Sequence, residues 1–286
     1  MRSNTEKTVT TARITILVDN DVRPGLGLEP EHGFAALLEQ GPVRVLFDTG
    51  QGPALENNAC RLGIDLTRLS AVVLSHGHYD HTGGLLQTAV LNGRVRVVGH
   101  PGIFSRHLKM GSADIEARKI GCPFSKELLE RTGAVFDFVD GFVEILPGFW
   151  FTGFVPRVFE TKADTWLVTR EGGFTVPDPL PDDCSAVIST PSGYILLLGC
   201  AHSGVRNVLE HVCTKLGTER IFGIIGGTHL GMSDEWETEA AIEAFERFGV
   251  SFLAPCHCTG PGPRDRLKAH FGPRFHDAAA GAVFEF

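Results

Sequence analysis

Residues 71–84 read AVVLSHGHYDHTGG. The first four are apolar and mostly β-branched, as in a buried strand, and the closing glycines lead into the apolar run that starts at Leu85, so the polar centre lies on a strand-to-helix turn. His76, His78, Asp80 and His81 fall within six positions there. Three imidazoles and a carboxylate are expensive to desolvate together unless they share a compensating positive charge. A metal ion supplies that charge, and imidazole nitrogen and carboxylate oxygen are among its usual donors. At period two His76 and His78 share one side of an extended turn, which suits them to one ion. Asp80 and His81 begin the helical bend and face an adjacent ion.

Outward from this turn, short apolar runs alternate with glycine and proline. Strands are predicted at 13–18, 34–39, 43–47, 71–74, 95–98, 165–169, 185–189, 194–198, 221–225 and 251–254. Helices are predicted at 52–62, 84–91, 126–132, 204–215 and 235–247. Hairpins mixed with strand–helix alternation predict an α/β (α+β) fold. No internal repeat or linker interrupts residues 1–286, which read as a single domain. The exception in texture is 99–153, where Arg106, His107, Lys109, Arg118 and Lys119 are mixed with Phe104 and Phe124 and strand character is weak before Ala134. An inserted cap region near 100–153, covering a site, is expected.

Three further histidines each follow an apolar strand: His202 in GCAHSG (199–204), His229 in GGTHL (226–230) and His257 in PCHCTG (255–260). A neutral imidazole offers one lone pair, so His229 can bind one ion but not bridge two. Metal ligation, substrate contact and a plain loop position are all open to it, with Asp234 as a substitute carboxylate. Cys256 and Cys258 flank His257, and neighbouring positions of a turn point away from it. Both thiols are therefore expected to pack or support rather than ligate, and Cys200, two before His202, is read the same way.

Together with Asp48-Thr49-Gly50 after the strand at 43–47, the His-x-His-x-Asp-His motif resembles the metallo-β-lactamase superfamily over nearly the whole chain. The resemblance implies a four-layer αββα fold, two packed mixed β-sheets flanked by helices, with one or two metals at the open edge between the sheets. It also implies that Asp48 braces the metal loop, that His202 is the third ligand of the first ion, and that His257 is the superfamily's final histidine. The strings at 18–20, 31–34, 48–51, 74–82, 199–204, 226–230 and 256–260 are similar to the class II metal-dependent hydrolase branch. That branch includes the archaeal dihydropterin-6-methyl-(ribofuranosyl)aminobenzene 5′-phosphate synthases, which displace diphosphate. Asn20, His32 and Arg157 lie in matching pieces and are candidate substrate contacts. Cys184, where the branch would carry a polar residue, puts a substrate contact at that position in doubt.

These residues imply two divalent cations. Imidazole-rich ligation favours Zn²⁺, and carboxylate participation admits Mn²⁺ or Fe²⁺. His76, His78 and His202 are expected to hold the first ion, and Asp80, His81 and His257, with His229 added, the second. Asp80 is the expected catalytic residue, orienting a hydroxide between the ions. The expected function is metal-dependent hydrolysis of a phosphate-bearing or other ester substrate. One alternative is a transferase that displaces diphosphate from a pterin-type substrate, and another is a metal-binding sensor without turnover.

With 26 Lys+Arg against 34 Asp+Glu the net charge is −8, which argues against nonspecific nucleic-acid binding. No run approaches the roughly 18 apolar residues of a membrane span, and the polar stretch 1–11 does not resemble a signal peptide. The seven scattered cysteines, an odd number, suit a reduced cytoplasmic protein. A small anionic substrate is expected, because paired divalent ions outweigh a diffuse and screened surface charge at contact. Arg157, with Arg106 or Lys109 from the cap, is the expected source of charge-assisted hydrogen bonds to phosphate oxygens.

Overall fold

Apolar residues two apart in each strand face the same way, and here both faces find partners. The structure, a computed structural model, describes residues 10–111, 117–161 and 164–286. The first part of the chain forms β1 (Ala12–Val18), β2 (Ala35–Gln40), β3 (Val43–Phe47), α1 (Pro53–Arg61), β4 (Ala71–Val73), the one-turn α2 (Tyr79–Thr82), α3 (Leu85–Asn92) and β5 (Val95–Gly99). Next come the two-residue strands β6 (Leu108–Lys109) and β7 (Arg118–Lys119), α4 (Lys126–Arg131), β8 (Ala134–Phe138), β9 (Val143–Leu146) and β10 (Phe149–Phe151). Strands β11 (Leu167–Glu171), β12 (Phe174–Pro177), β13 (Ser185–Thr190) and β14 (Gly193–Leu198) lead to α5 (Val205–Leu216). The chain continues through β15 (Gly223–Gly227), α6 (Glu235–Arg247), β16 (Phe252–Cys256), α7 (Pro261–Phe271) and β17 (Val283–Glu285).

A seven-stranded sheet has the order β17-β1-β2-β3-β4-β5-β8, and a six-stranded sheet the order β16-β15-β14-β13-β10-β9. Both are mixed: β3, β4, β5 and β8 run parallel, as do β14, β15 and β16, while their remaining partners are antiparallel. Ile14, Ile16, Leu38 and Phe47 of the first sheet pack against Phe149, Phe151, Ile188 and Leu197 of the second. Each such fully buried large side chain contributes about 1.5–3 kcal/mol relative to an exposed one. The odd-numbered face of β1 is not wasted: Leu17 joins Leu37, Leu46 and Val72 under Leu55, Ala89 and Leu129 of the helices α1, α3 and α4. Val187, Leu196 and Ile224 likewise lie under Val208, Phe245 and Leu267 of α5, α6 and α7. The layers are therefore αββα, as the resemblance implied.

Three expectations are corrected. The predicted strand 221–225 lies two residues later, because β15 is sandwiched between parallel partners and its glycines permit the approach. Gly226 has φ 119°, and a Cβ there would stand 2.0 Å from the Leu198 carbonyl oxygen. Helix α7 escaped prediction because only Leu267 and Phe271, a single i, i+4 pair, are buried. Residues near 100–153 are not one inserted cap. Strands β8, β9 and β10 complete the two main sheets, and only β6 and β7 leave them, joining β11 and β12 in a separate sheet ordered β12-β11-β6-β7. No described helix is long and apolar enough to cross a membrane.

Candidate metal centre

Parallel strands deliver their C-terminal ends to one edge. Phe47 is in register with Val73, so Asp48 and the turn that begins at Ser75 emerge side by side. Leu198 is in register with Gly226, and Gly227 with Cys256, so the loops carrying His202, His229 and His257 emerge together in the opposing sheet. Four of these imidazoles are anchored at Nδ1 by a partner behind them. His81 donates to Asp48 Oδ2 at 2.7 Å, and His76 donates to Ser75 Oγ at 2.9 Å, whose own hydroxyl donates to Asp48 Oδ2. His257 donates to Asn20 Oδ1 at 3.1 Å, and His202 to Asp164 Oδ2 at 3.3 Å. A donating Nδ1 leaves the lone pair on Nε2, and all four Nε2 atoms turn inward.

The inward atoms crowd. His76 Nε2 lies 2.9 Å from His78 Nδ1, and His81 Nε2 lies 3.2 Å from His257 Nε2. Buried nitrogens without a hydrogen-bond partner include His78 Nε2, His202 Nε2 and His229 Nδ1. Inward nitrogens that meet one another, beside ring nitrogens with no partner, are poorly satisfied in a dry site and fit a bound cation, as does the chemistry of the donors. Burial, reinforced by the neighbouring imidazoles, pushes His76 and His78 well below the usual histidine range. Burial takes His257 down to about 4. These three are neutral donors. For His81 the carboxylates of Asp48 and Asp80 outweigh burial and raise it to about 9.

Asp80 Oδ2 is 3.3 Å from His32 Nε2, 3.7 Å from His257 Nε2 and 3.8 Å from His81 Nε2, so it joins the cluster at the second position. His229 stands with φ 55°, its ring 4.2 Å from that of His202. Its Nε2 is 3.0 Å from Asp164 Oδ2. Asp164, invisible to sequence reasoning because no motif surrounds it, forms with His202 and His229 a group whose ligand atoms lie within 4.8 Å of one another. Asp234, the carboxylate expected there, instead occupies the N-cap position of α6 and belongs to no such group among the described residues.

The cysteines also depart from expectation. Cys256 packs between the sheets as read, but Cys200 and Cys258 line the cavity with the histidines. Ala201 between Cys200 and His202 is left-handed, φ 57°, so the alternation of an extended segment does not hold there and Cys200 faces the same centre as His202. His257 to Thr259 form a 3₁₀ turn, so Cys258 is not thrown to the side opposite His257. Cys184 is buried between the sheets, while its neighbours brace the loops: Asp182 Oδ2 accepts from Gly77 N at 2.7 Å and Asp183 Oδ2 from Ser203 N at 2.7 Å.

The centre opens into a cavity of about 300 Å³ bounded by His32, Tyr79, Lys109, Arg118, Trp166 and Met232. Of Asn20, His32 and Arg157 only His32 is on this wall, together with Lys109, also expected to meet phosphate oxygens. Arg157 is exposed on the loop after β10 and lines neither this cavity nor the smaller one beside His202. Arg106 is exposed too, offering its carbonyl to Thr169. The cations that do face the centre come from β6 and β7: Lys109 Nζ lies 5.0 Å from the Trp166 ring and the Arg118 guanidinium 5.7 Å from the Tyr79 ring. Asn20 acts behind the site, donating Nδ2 to the His257 carbonyl at 3.3 Å and accepting from its Nδ1. Asn20→Ala is accordingly expected to weaken metal binding at the His257 side of the cluster about 10- to 100-fold, with binding at His76 and His202 little changed. Competitive titration with a chromophoric chelator measures both, and equal affinities in variant and wild type would remove Asn20 from this role.

Residues 28–257 match the family model of the metallo-beta-lactamase superfamily. The chain is 28% identical over 267 residues to the 7,8-dihydropterin-6-methyl-4-(beta-D-ribofuranosyl)-aminobenzene-5′-phosphate synthase of Methanocaldococcus jannaschii, covering 90% of each chain. It is 32% identical to an uncharacterized protein of the same organism, over 86% of this chain and 90% of that one. Among solved structures, Tm1679, a metal-dependent hydrolase of the beta-lactamase superfamily, superposes with a TM-score of 0.83 at 30% identity, covering 96% of this chain and 99% of that chain. Fold, motif and donor geometry agree with these matches, and the chain belongs to the metallo-β-lactamase superfamily.

Proposed function

We propose that this protein is a metal-dependent hydrolase with a two-cation centre that cleaves an ester bond of a small phosphate-bearing substrate. The observation that carries the reading is the set of four imidazoles, each tied back at Nδ1 and aimed inward at Nε2. His76, His78 and His202 would hold the first ion, and Asp80, His81 and His257 the second, with His229 and Asp164 at the margin between His202 and the cavity. Divalent cations so held act as Lewis acids toward phosphoryl oxygen and lower the pKa of coordinated water. The chain's own contribution is orientation. Asp48 fixes His81 and, through Ser75, His76, while Asp80 holds His32 at the cavity wall within reach of a substrate oxygen.

Two divalent cations outweigh the Asp80 carboxylate, so the centre is locally positive although the chain carries −8. Lys109 and Arg118 add to that sign at the mouth, where Arg118 can present its planar fork to a phosphate. A second reading, displacement of diphosphate from a pterin-type substrate, is favoured by the near full-length similarity to the archaeal synthase and by the Tyr79 and Trp166 walls, which suit a flat ring.

Turnover in ¹⁸O-labelled water separates the two: label in the product marks hydrolysis, whereas a coupled adduct free of label marks transfer. Inorganic phosphate is expected to compete with substrate, and Arg118→Ala to raise KM for phosphate-bearing substrates at least tenfold while sparing neutral esters. Ready turnover of neutral lactones, with no competition by phosphate and an equal effect of Arg118→Ala on all substrates, would retire the phosphate-directed part.

A further inference from the structure

Cys200 sits where the two proposed ion positions meet. Its Sγ belongs to one group with the ring nitrogens of His76 and His202, and to a second with those of His81 and His257, in each of which the ligand atoms lie within 4.8 Å of one another. Among the described residues with such groups, Cys200 is the one that appears with both the first-ion and the second-ion histidines. The side chain is buried, 4% exposed, and its Sγ is 3.4 Å from His81 Nε2. His202 Nε2, also buried and without a hydrogen-bond partner, belongs to the first of these groups.

The local chain explains the placement. Strand β14 carries its alternating apolar residues to Leu198, and Gly199 then passes so close to the metal loop that a Cβ there would meet Ser75 Oγ at 2.1 Å. Cys200 follows directly, and the left-handed Ala201, φ 57°, turns the chain so that His202 joins the same group. Cys258 falls in a third such group, with Cys200 and His229 but with none of the other histidines, and its Sγ accepts from His229 N at 3.2 Å and lies 3.7 Å from the Cys200 carbonyl, contacts that tie one loop to the other.

We propose that Cys200, as a thiolate, is a ligand shared by the two cations. The proposal rests on the two-cation reading above. Coordination replaces the S–H bond by sulfur–metal bonds and releases the thiol proton to solvent. A thiolate in the donor set draws the site toward Zn²⁺ or Fe²⁺ and away from Mn²⁺, which prefers oxygen.

The test uses the whole chain loaded with Zn²⁺ or Co²⁺. X-ray absorption at the zinc edge is expected to show one sulfur per zinc at about 2.3 Å, where a sulfur bound to a single ion would give half that count. The Co²⁺ form is expected to show a near-ultraviolet thiolate-to-cobalt band. Cys200→Ser should lose both signals and weaken both ions at least tenfold, Cys200→Asp should restore two-ion binding without the signals, and Cys258→Ser should keep them. Two bound ions with no sulfur scattering in the wild type, or signals that vanish with Cys258→Ser and survive Cys200→Ser, would overturn the shared thiolate while leaving the two-cation centre standing. Failure to bind Zn²⁺ or Co²⁺ at all would remove both readings. The zinc-edge measurement on the wild type needs no variant to fold.

Discussion

Chelation of the two proposed ions is expected to lower the thermal midpoint of the protein by on the order of 20 °C. An ion that binds only the folded chain stabilises it by about 4 kcal/mol when its free concentration is a thousand times its dissociation constant, so two independent ions give about 8 kcal/mol. For a domain of this size each kcal/mol moves the midpoint by roughly 2–4 °C. The physical source is the cluster itself: without cations the inward nitrogens of His76 and His78, and of His81 and His257, meet one another, while His78 Nε2 and His202 Nε2 are left without a hydrogen-bond partner in a buried site. His78→Ala should reduce the bound equivalents from two to one and abolish about half of the shift, with the fold retained. Scanning calorimetry before and after chelation, with elemental analysis of each sample, checks both numbers. A midpoint that ignores chelation, in protein that also fails to take up added Zn²⁺ and Mn²⁺, would end the metal-dependent reading.

The second large effect is expected at Asp48, which touches no proposed ion. Its carboxylate is fully buried and accepts three hydrogen bonds, from Ser75 N, Ser75 Oγ and His81 Nδ1, each at 2.7 Å. Removing it strands three buried donors, and at about 1–3 kcal/mol for each, with partial relaxation, Asp48→Ala should lose about 3–5 kcal/mol of metal-free stability. It should also weaken the ion held by His81 about 10- to 100-fold, because His81 loses the partner that sets its tautomer and orientation. Asp48→Asn, which keeps an acceptor of the same shape, should show roughly half the stability loss. Urea unfolding of the metal-free variants and metal titration of the same samples separate the two consequences. Wild-type unfolding together with wild-type metal affinity in Asp48→Ala would show that the carboxylate braces nothing.

The metal loop was readable from the chain alone because its information is local. His76, His78, Asp80 and His81 are adjacent in sequence, follow an apolar strand, and have no inexpensive explanation other than a shared cation. The same holds for the α/β character of the chain, since many of its strands and helices follow apolar periodicity over a few residues, and for the placement of His202, His229 and His257 just after strands, whereas the αββα layering was implied by the resemblance of the motif. What could not be read was every feature fixed by partners remote in sequence. Asn20 looks like a loop residue until it meets His257, 237 positions away, and Asp164 acquires a role only beside His202 and His229.

Lys109, one of the expected cations, is joined at the cavity by Arg118 and not by Arg157, because two-residue strands too short for any periodicity pair with each other and with β11, more than forty positions on. Cys200 is the sharpest case. Its identity and spacing fit packing as well as ligation, and only the approach of two loops from opposing sheets decides which way its sulfur faces. The sequence by itself determined the donor types and the strand ends that carry them, since these depend on short-range pattern. Tertiary structure decided which side chains share a centre and which cations face it, since those contacts form only when the two sheets close on a common core and bring their loops to the same edge.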